Sequence, residues 1–146
     1  MRSYLGMLLA IIAVVFTLGC DRKPVETVAL DSTLILTDEP SGTVSVAEVL
    51  ENGQDGDEVT VAGWVAGSQQ PIIKGRAAFT IVDLNLPPME CSEIPHSYCC
   101  MPKDELLPNM VLVKFVDEEG KTILKDAHGL LGIGEAYTVV VQGRVQ

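Results

Sequence analysis

Basic residues are scarce in this chain, and so are aromatic side chains. Its 146 residues hold 10 Lys and Arg against 20 Asp and Glu, which gives a formal net charge of −10, and only 5% are aromatic. Binding to nucleic acid requires a basic surface, and single strands also require aromatic faces. The composition therefore excludes a nucleic-acid partner, whereas it is compatible with solubility or with attraction of cations.

The chain also has no apolar run of the roughly 20 residues that a membrane-spanning helix needs. Its apolar run at 4–18 is shorter than that. We find no internal repeat, no Ser/His/Asp pattern and no paired carboxylates of a catalytic type. The acidic stretch DEEGK at 117–121 lacks the twelve-residue pattern of a calcium loop. We therefore predict one small domain that is not an enzyme.

The first twenty residues, MRSYLGMLLAIIAVVFTLGC, have the layout of an export signal. Arg2 supplies a basic start, the apolar run follows, and small residues stand at the end. The ending TLGC resembles the bacterial lipobox, with Thr17 where that motif usually has Leu. The resemblance implies a signal peptide over residues 1–19, cleavage before Cys20 and palmitate-type acyl chains on Cys20. An ordinary cleaved signal and an uncleaved anchor are the alternatives.

Lipidation of Cys20 predicts a lipoprotein of the cell envelope, held at a membrane on the periplasmic or outer side. Acyl chains anchor strongly, because each buried CH₂ contributes about 0.8 kcal/mol. Disulfide bonds persist in such a compartment. Residues 20–42 follow as a predicted flexible tether with Pro24, Pro40 and Gly42, in which LILT at 34–37 is a candidate edge strand.

Residues 43–146 form the predicted domain and divide into short β-like runs. Ser45 and Glu48 have capping-box spacing at the start of a helix and turn over 45–57. Two strand glycines, Gly63 and Gly143, suit the kinks that close small barrels. We predict strands at 58–66, 77–83, 109–117, 121–125 and 136–145, with a helical turn at 126–132.

The first half of this domain resembles OB-fold domains. The match is carried by Val59, Val61, Gly63, Trp64, Val65, Phe79 and Asp83, and VVVQGRV near the end resembles the closing OB strand. The resemblance covers much of residues 43–146. It implies a mostly all-β, five-stranded OB-like barrel with one or two short helices. It implies no particular ligand, because this fold serves unrelated functions.

A second resemblance is carried by AAFTIVDLNLPPMECSEIPHSYCCMP. This stretch is similar to exported lipoproteins of planctomycete type, which join an OB-like domain to a proline- and cysteine-rich "YCC" loop. That group has no assigned function, and the loop in this chain is shorter and holds one cysteine fewer.

The cysteine-rich loop spans 86–102 and contains Cys91, Cys99 and Cys100. Because Cys20 is assigned to lipid, an odd number of thiols remains. We predict one disulfide, joining Cys91 to Cys99 or Cys100, and a spare thiol. Closing such a loop would stabilise the fold by about 2–3 kcal/mol in the chain-entropy model. A strained, redox-active bond between the adjacent Cys99 and Cys100 is an alternative.

The same loop offers a metal site as a second alternative. Cys91, His96, Cys99 and Cys100 make a possible Cys₃His set for zinc. The flanking Met89 and Met101 would favour copper(I), because thioethers are soft ligands. No C-x-x-C spacing is present. The main prediction therefore has no cofactor, and the alternative is a Cu- or Zn-binding or thiol-redox protein.

Two further residues are interpreted as structural. His128 is predicted at the surface or at a helix end, and Trp64 is predicted to pack under the N-terminal helix. The sequence thus predicts a membrane-anchored, exported binding or envelope-structural module. Its protein or small-molecule ligand is not identified.

Overall fold

The computed structural model of the protein describes residues 31–87, 98 and 100–146. These residues form one sheet, three short α-helices and a 3₁₀ turn at Leu107–Asn109. The elements in chain order are α1 (Val46–Asn52), β1 (Glu58–Val65), β2 (Ala78–Asp83), α2 (Lys103–Leu106), β3 (Met110–Lys114), α3 (Ala127–Leu131) and β4 (Thr138–Arg144).

The sheet is antiparallel, with strand order β3-β2-β1-β4. β1 pairs with β4 over nearly its whole length, from Glu58 to Trp64. On its other side β1 pairs with β2 only through its last three residues. Beside the preceding residues of β1, Val44 takes the place of β2. Its backbone N–H donates to the Thr60 carbonyl at 2.9 Å, and its carbonyl accepts from the Ala62 N–H at 3.3 Å.

The prediction of five strands in a closed barrel is wrong. Residues 121–125 form no strand, because their pairing is an isolated bridge of Thr122 with Val116. The backbone bonds around it join Lys121 to Asp117 and Ile123 to Phe115 and Ala77. A tight turn at Asp117 reverses the chain, which then leaves the sheet for α3, so Leu124 is 73% exposed. Within the described ranges no pairing joins β3 to β4, and the four-stranded sheet is open.

Helix α1 begins where the spacing of Ser45 and Glu48 predicts a capped helix start. Ser45 has extended backbone angles and its hydroxyl accepts a hydrogen bond from the backbone N–H of Glu48 at 3.1 Å, as an N-cap does. Val46 is fully buried, and Val49 packs against the same core. The helix ends at Asn52, and Gly53 caps it, since its N–H donates to the Val49 carbonyl at 2.8 Å.

The main core lies on one face of the sheet. Strand β1 alternates as predicted, with Val61 and Val65 buried on this face. Helix α1 and the start of α3 cover part of it through Val46 and Ala127. The other members of this core cluster are Phe79 and Ile81, with half-buried residues of β3 and β4 beside them.

A second cluster lies on the opposite face, and it corrects the prediction for Trp64. Trp64 packs against this cluster, not against the face that α1 covers. The cluster is formed by Ala66, Val82, Tyr98, Met101 and Leu106. Helix α2, which the sequence did not indicate, has no side-chain cap and contributes its buried Leu106 here.

Candidate functional site

A cleft of about 410 Å³ opens on the core-lined face of the sheet, beside β4. Its volume lies in the range of about 300–1,000 Å³ that is typical of ligand sites. The lining comes from five separate parts of the chain: residues 34–40, Phe79 of β2, Phe115 after β3, the pair Leu131 and Ile133 at and just after the end of α3, and residues 139–142 of β4.

The floor of the cleft is apolar. The rings of Phe79 and Phe115 are stacked, with centroids 6.2 Å apart and planes inclined at 30°. Phe115, Val139 and Val141 are only half-buried, although they point to the same side as the main core. Their exposure follows from the open sheet, because a closed barrel would have covered these side chains.

One wall of the cleft is the strand β4. Four consecutive residues, Val139 to Gln142, line it. Successive side chains of a strand point to opposite faces of the sheet. A surface that contacts all four therefore runs along the edge of the strand, where the backbone is accessible.

The other wall is formed by residues 34–40, which belong to the predicted tether. They form bends and no strand, so the prediction of an edge strand at 34–37 is wrong. Asp31 holds this segment to the domain, since its backbone N–H donates to the Leu130 carbonyl at 3.0 Å. Ile35 and Leu36 remain 40% and 48% exposed, and the charged residues of the cleft lining are Asp38 and Glu39.

Asp83 is a buried carboxylate at the end of β2, with 1% exposure. One of its oxygens accepts from the backbone N–H of Ala47 at 2.9 Å, and the other from that of Asn85 at 2.8 Å. Burial alone would raise its pKa, but these bonds and one from the Ser45 hydroxyl hold the pKa below its ordinary value. Asp83 thus ties β2 to the first turn of α1, and the sequence named it only through the OB resemblance.

The predicted lipidation, disulfide and metal residues fall mostly outside the described residues, as Cys20, Cys91, His96 and Cys99 do. Cys100 is described and is disulfide-bonded. Its partner lies outside the described ranges, so the choice of partner stays a prediction. While this bond is intact, Cys100 supplies no thiolate to a metal. Among the residues described, no group of three or more His, Cys, Asp or Glu has a metal-binding arrangement.

The end of the cysteine-rich loop is held against the second face of the sheet. Tyr98 is 1% exposed, and its hydroxyl donates to the Leu86 carbonyl at 3.1 Å. Burial, together with the negative charge of Asp83, raises the pKa of this phenol. Met101, proposed above as a copper ligand, packs in the second cluster.

His128 lies on α3, and its side chain is exposed. Its Nδ1 donates to the Ile133 carbonyl at 2.6 Å, which assigns the proton to this nitrogen. The ring therefore fastens the segment after α3 and is placed at a helix end, as predicted.

Sequence reasoning did not find the cleft. The sequence pattern puts Phe115 in a strand and Leu131 in a helical turn, leaves Ile133 between elements, and assigns residues 34–40 to the tether. No local signal marks these residues, because only the fold brings them together. The alternation at 139–142 indicates a strand but not that its edge is free.

Comparison with protein-family models, curated proteins and solved structures finds no match to this chain. Across the described ranges, no helix is both long and apolar enough to cross a bilayer. Any functional assignment therefore rests on the cleft and on the features of the sequence.

Proposed function

We propose that this protein is a lipid-anchored lipoprotein of the cell envelope that binds a ligand in the cleft between β4 and residues 34–40, and that it catalyses no reaction. The observation that supports this function is the cleft itself. It has the volume of a ligand site, an apolar floor and an accessible strand edge, and it results from a sheet that stays open.

The proposed anchor and the cleft are close together along the chain. Residues 34–40 form a wall of the cleft, and Cys20 lies fourteen residues before Leu34. Fully extended, such a segment spans no more than about 50 Å. An acylated Cys20 would therefore keep the bound ligand near the membrane surface.

Binding in the cleft is tested with the apolar probe N-phenyl-1-naphthylamine, whose fluorescence rises in apolar surroundings. Leu36→Asp places a charge in the cleft wall, at a half-exposed position outside the sheet. We expect its affinity for the probe to fall at least about fivefold, or about 1 kcal/mol. Leu124→Asp is the matched control, since Leu124 is 73% exposed and does not line the cleft. Equal binding by both variants, or no binding by the unaltered protein, would contradict the proposal.

The anchor is tested separately by metabolic labelling with a palmitate analogue. We expect labelling of the unaltered chain and its loss in Cys20→Ala. Labelling that persists in this variant would place the lipid elsewhere or refute a lipidated Cys20.

The disulfide at Cys100 supports a structural role for the loop, with no metal bound. Alkylation followed by intact mass is expected to give one disulfide and one free thiol among Cys91, Cys99 and Cys100. Elemental analysis of protein purified without chelator is expected to give no copper or zinc. Three free thiols with about one equivalent of either metal would instead establish the Cys₃His site with His96.

A further inference from the structure

Among the described residues, the outer edge of β4 has backbone groups without a strand partner, and its pairing with β1 shows which groups these are. The N–H of Val65 donates to the Tyr137 carbonyl at 2.8 Å, and the N–H of Val145 donates to the Asp57 carbonyl at 3.0 Å. Hydrogen-bonded pairs alternate along an antiparallel ladder, so the odd-numbered residues of β4 bond to β1. The even-numbered residues direct their N–H and C=O groups outward, and these are Thr138, Val140, Gln142 and Arg144.

The outward-facing residues of β4 border the cleft. Val140 and Gln142 both line it, together with Val139 and Val141. No backbone bond joins residues 34–40 to β4 in the part of the chain that the structure describes. An unpaired strand edge of this kind is a template for one more strand.

The side chains around this edge indicate which residues an added strand should contain. An added strand presents alternate side chains to one face, where Phe79, Phe115 and Val141 form the apolar floor. The opposite wall carries Asp38 and Glu39, and the chain has a net charge of −10. Charge complementarity therefore favours basic residues in the partner and opposes acidic ones.

We propose that the occupant of the cleft is an extended peptide segment of another protein, with alternating apolar residues and flanking Lys or Arg, that pairs with the outer edge of β4. This inference rests on the proposed function of the cleft and names its ligand class. Main-chain hydrogen bonds to Val140 and Gln142 hold the strand, and the apolar floor and the two carboxylates select its sequence.

The test uses the purified full chain and three fluorescent peptides, measured by anisotropy at low salt. The first alternates Val and Thr and has Lys at both ends, the second has Glu in place of Lys, and the third is the Lys peptide with every backbone nitrogen methylated. We expect the first to bind with a dissociation constant below about 1 mM. The other two are expected to bind at least about tenfold more weakly, because the Glu peptide loses charge complementarity and the methylated peptide cannot donate main-chain hydrogen bonds to β4.

Two proline variants locate the strand. Val140→Pro removes an outward N–H of β4 without removing a bond to β1, and edge strands tolerate proline at such positions. Leu112→Pro is the matched control. The N–H of Phe115 donates to the Ala77 carbonyl at 2.8 Å, so odd residues of β3 bond to β2 and the N–H of Leu112 points outward on the opposite edge. We expect Val140→Pro to weaken the Lys peptide at least about tenfold and Leu112→Pro to leave it within about twofold.

A second measurement, on the unaltered protein, tests the inference even if the Val140→Pro variant does not fold. In the unaltered protein, the Lys peptide should slow hydrogen exchange of the Val140 and Gln142 amides and leave that of Leu112 unchanged. Unchanged exchange at both β4 amides would overturn the inference, as would equal binding of the methylated or the Glu peptide. Concentration-dependent dimerisation that Val140→Pro abolishes would identify a second copy as the occupant and also overturn it.

The two proposals fail in distinguishable ways. If no peptide binds but the naphthylamine probe binds and is sensitive to Leu36→Asp, the strand inference is wrong and the binding cleft stands. If neither the peptides nor the probe binds, both proposals are wrong.

Discussion

Replacing Asp83 tests how the first helix is held to the sheet. Its two carboxylate oxygens each accept a different backbone N–H, those of Ala47 and Asn85, in a buried position. In Asp83→Asn one of these oxygens becomes an NH₂ group, which faces an N–H donor and cannot accept from it. One charge-assisted bond is lost, and a donor is left unsatisfied.

The magnitude follows from these contacts. A hydrogen bond to a charged group contributes about 1.5–3 kcal/mol, and an unsatisfied buried donor costs about 1–3 kcal/mol. The lost bond and the unsatisfied donor describe partly the same contact, so their energies do not add in full. We therefore expect Asp83→Asn to lower the free energy of unfolding by about 2–4 kcal/mol. With a urea slope of about 1–2 kcal/mol/M, the unfolding midpoint should fall by about 1–4 M.

The effect should depend on pH in a defined direction. The pKa of Asp83 in the folded protein lies below its ordinary value of 3.8, so the unfolded chain binds the proton more tightly. The stability contributed by this carboxylate is therefore present above about pH 4 and is lost as the pH falls through the folded pKa. The difference between the unaltered protein and Asp83→Asn should be constant near neutral pH and shrink below pH 3.8.

Urea unfolding followed by the fluorescence of Trp64, the single tryptophan, measures both quantities. Asp117→Asn is the matched control. Asp117 also accepts two backbone N–H bonds, from Glu119 at 3.0 Å and Lys121 at 2.9 Å, but it is exposed and both bonds fall on one oxygen. We expect this control to lose no more than about 0.5 kcal/mol. Equal losses in the two variants, or an Asp83→Asn deficit that is unchanged from pH 7 to pH 3, would refute the reasoning.

Two other substitutions test the packing. Gly63→Ala would place a Cβ 2.8 Å from the Val82 carbonyl oxygen, so it should destabilise by about 1–3 kcal/mol, whereas Gly143→Ala meets nothing within 4 Å and should be nearly neutral in the same urea assay. Tyr98→Phe removes the hydroxyl that donates to the Leu86 carbonyl, so thermal unfolding should show a loss of about 1 kcal/mol; an unchanged melting temperature would mean that this bond does not hold the loop.

The parts of the fold with local signals were predictable. The cap at Ser45, the start of α1 and the alternation of β1 each depend on residues within a few positions, and all three are confirmed. Residues 121–125 look like a strand locally, yet they form only an isolated bridge opposite Val116, because the chain turns toward α3 after Ile123. Helix α2 was missed because four residues without a side-chain cap carry almost no local signal.

The OB resemblance also shows that a local motif does not determine how the strands of a sheet are arranged. Of the residues that carry it, Gly63 is in tight contact with the Val82 carbonyl oxygen and Asp83 stands at the end of β2. The sheet nevertheless stays open, so closure was not a property of those residues. The OB relationship itself stays a prediction.

By itself the sequence determined the acidic charge, the short strands, the first helix and the prediction of an anchor at Cys20, because composition and short-range pattern carry that information. Only the tertiary structure decided that β3 and β4 stay apart, that residues 34–40 lie across the opening and that the outer groups of β4 face a cleft. Each of these depends on backbone pairing between distant residues. Such pairing is set by the competition of whole elements for hydrogen bonds and buried surface, and no single stretch of sequence records its outcome.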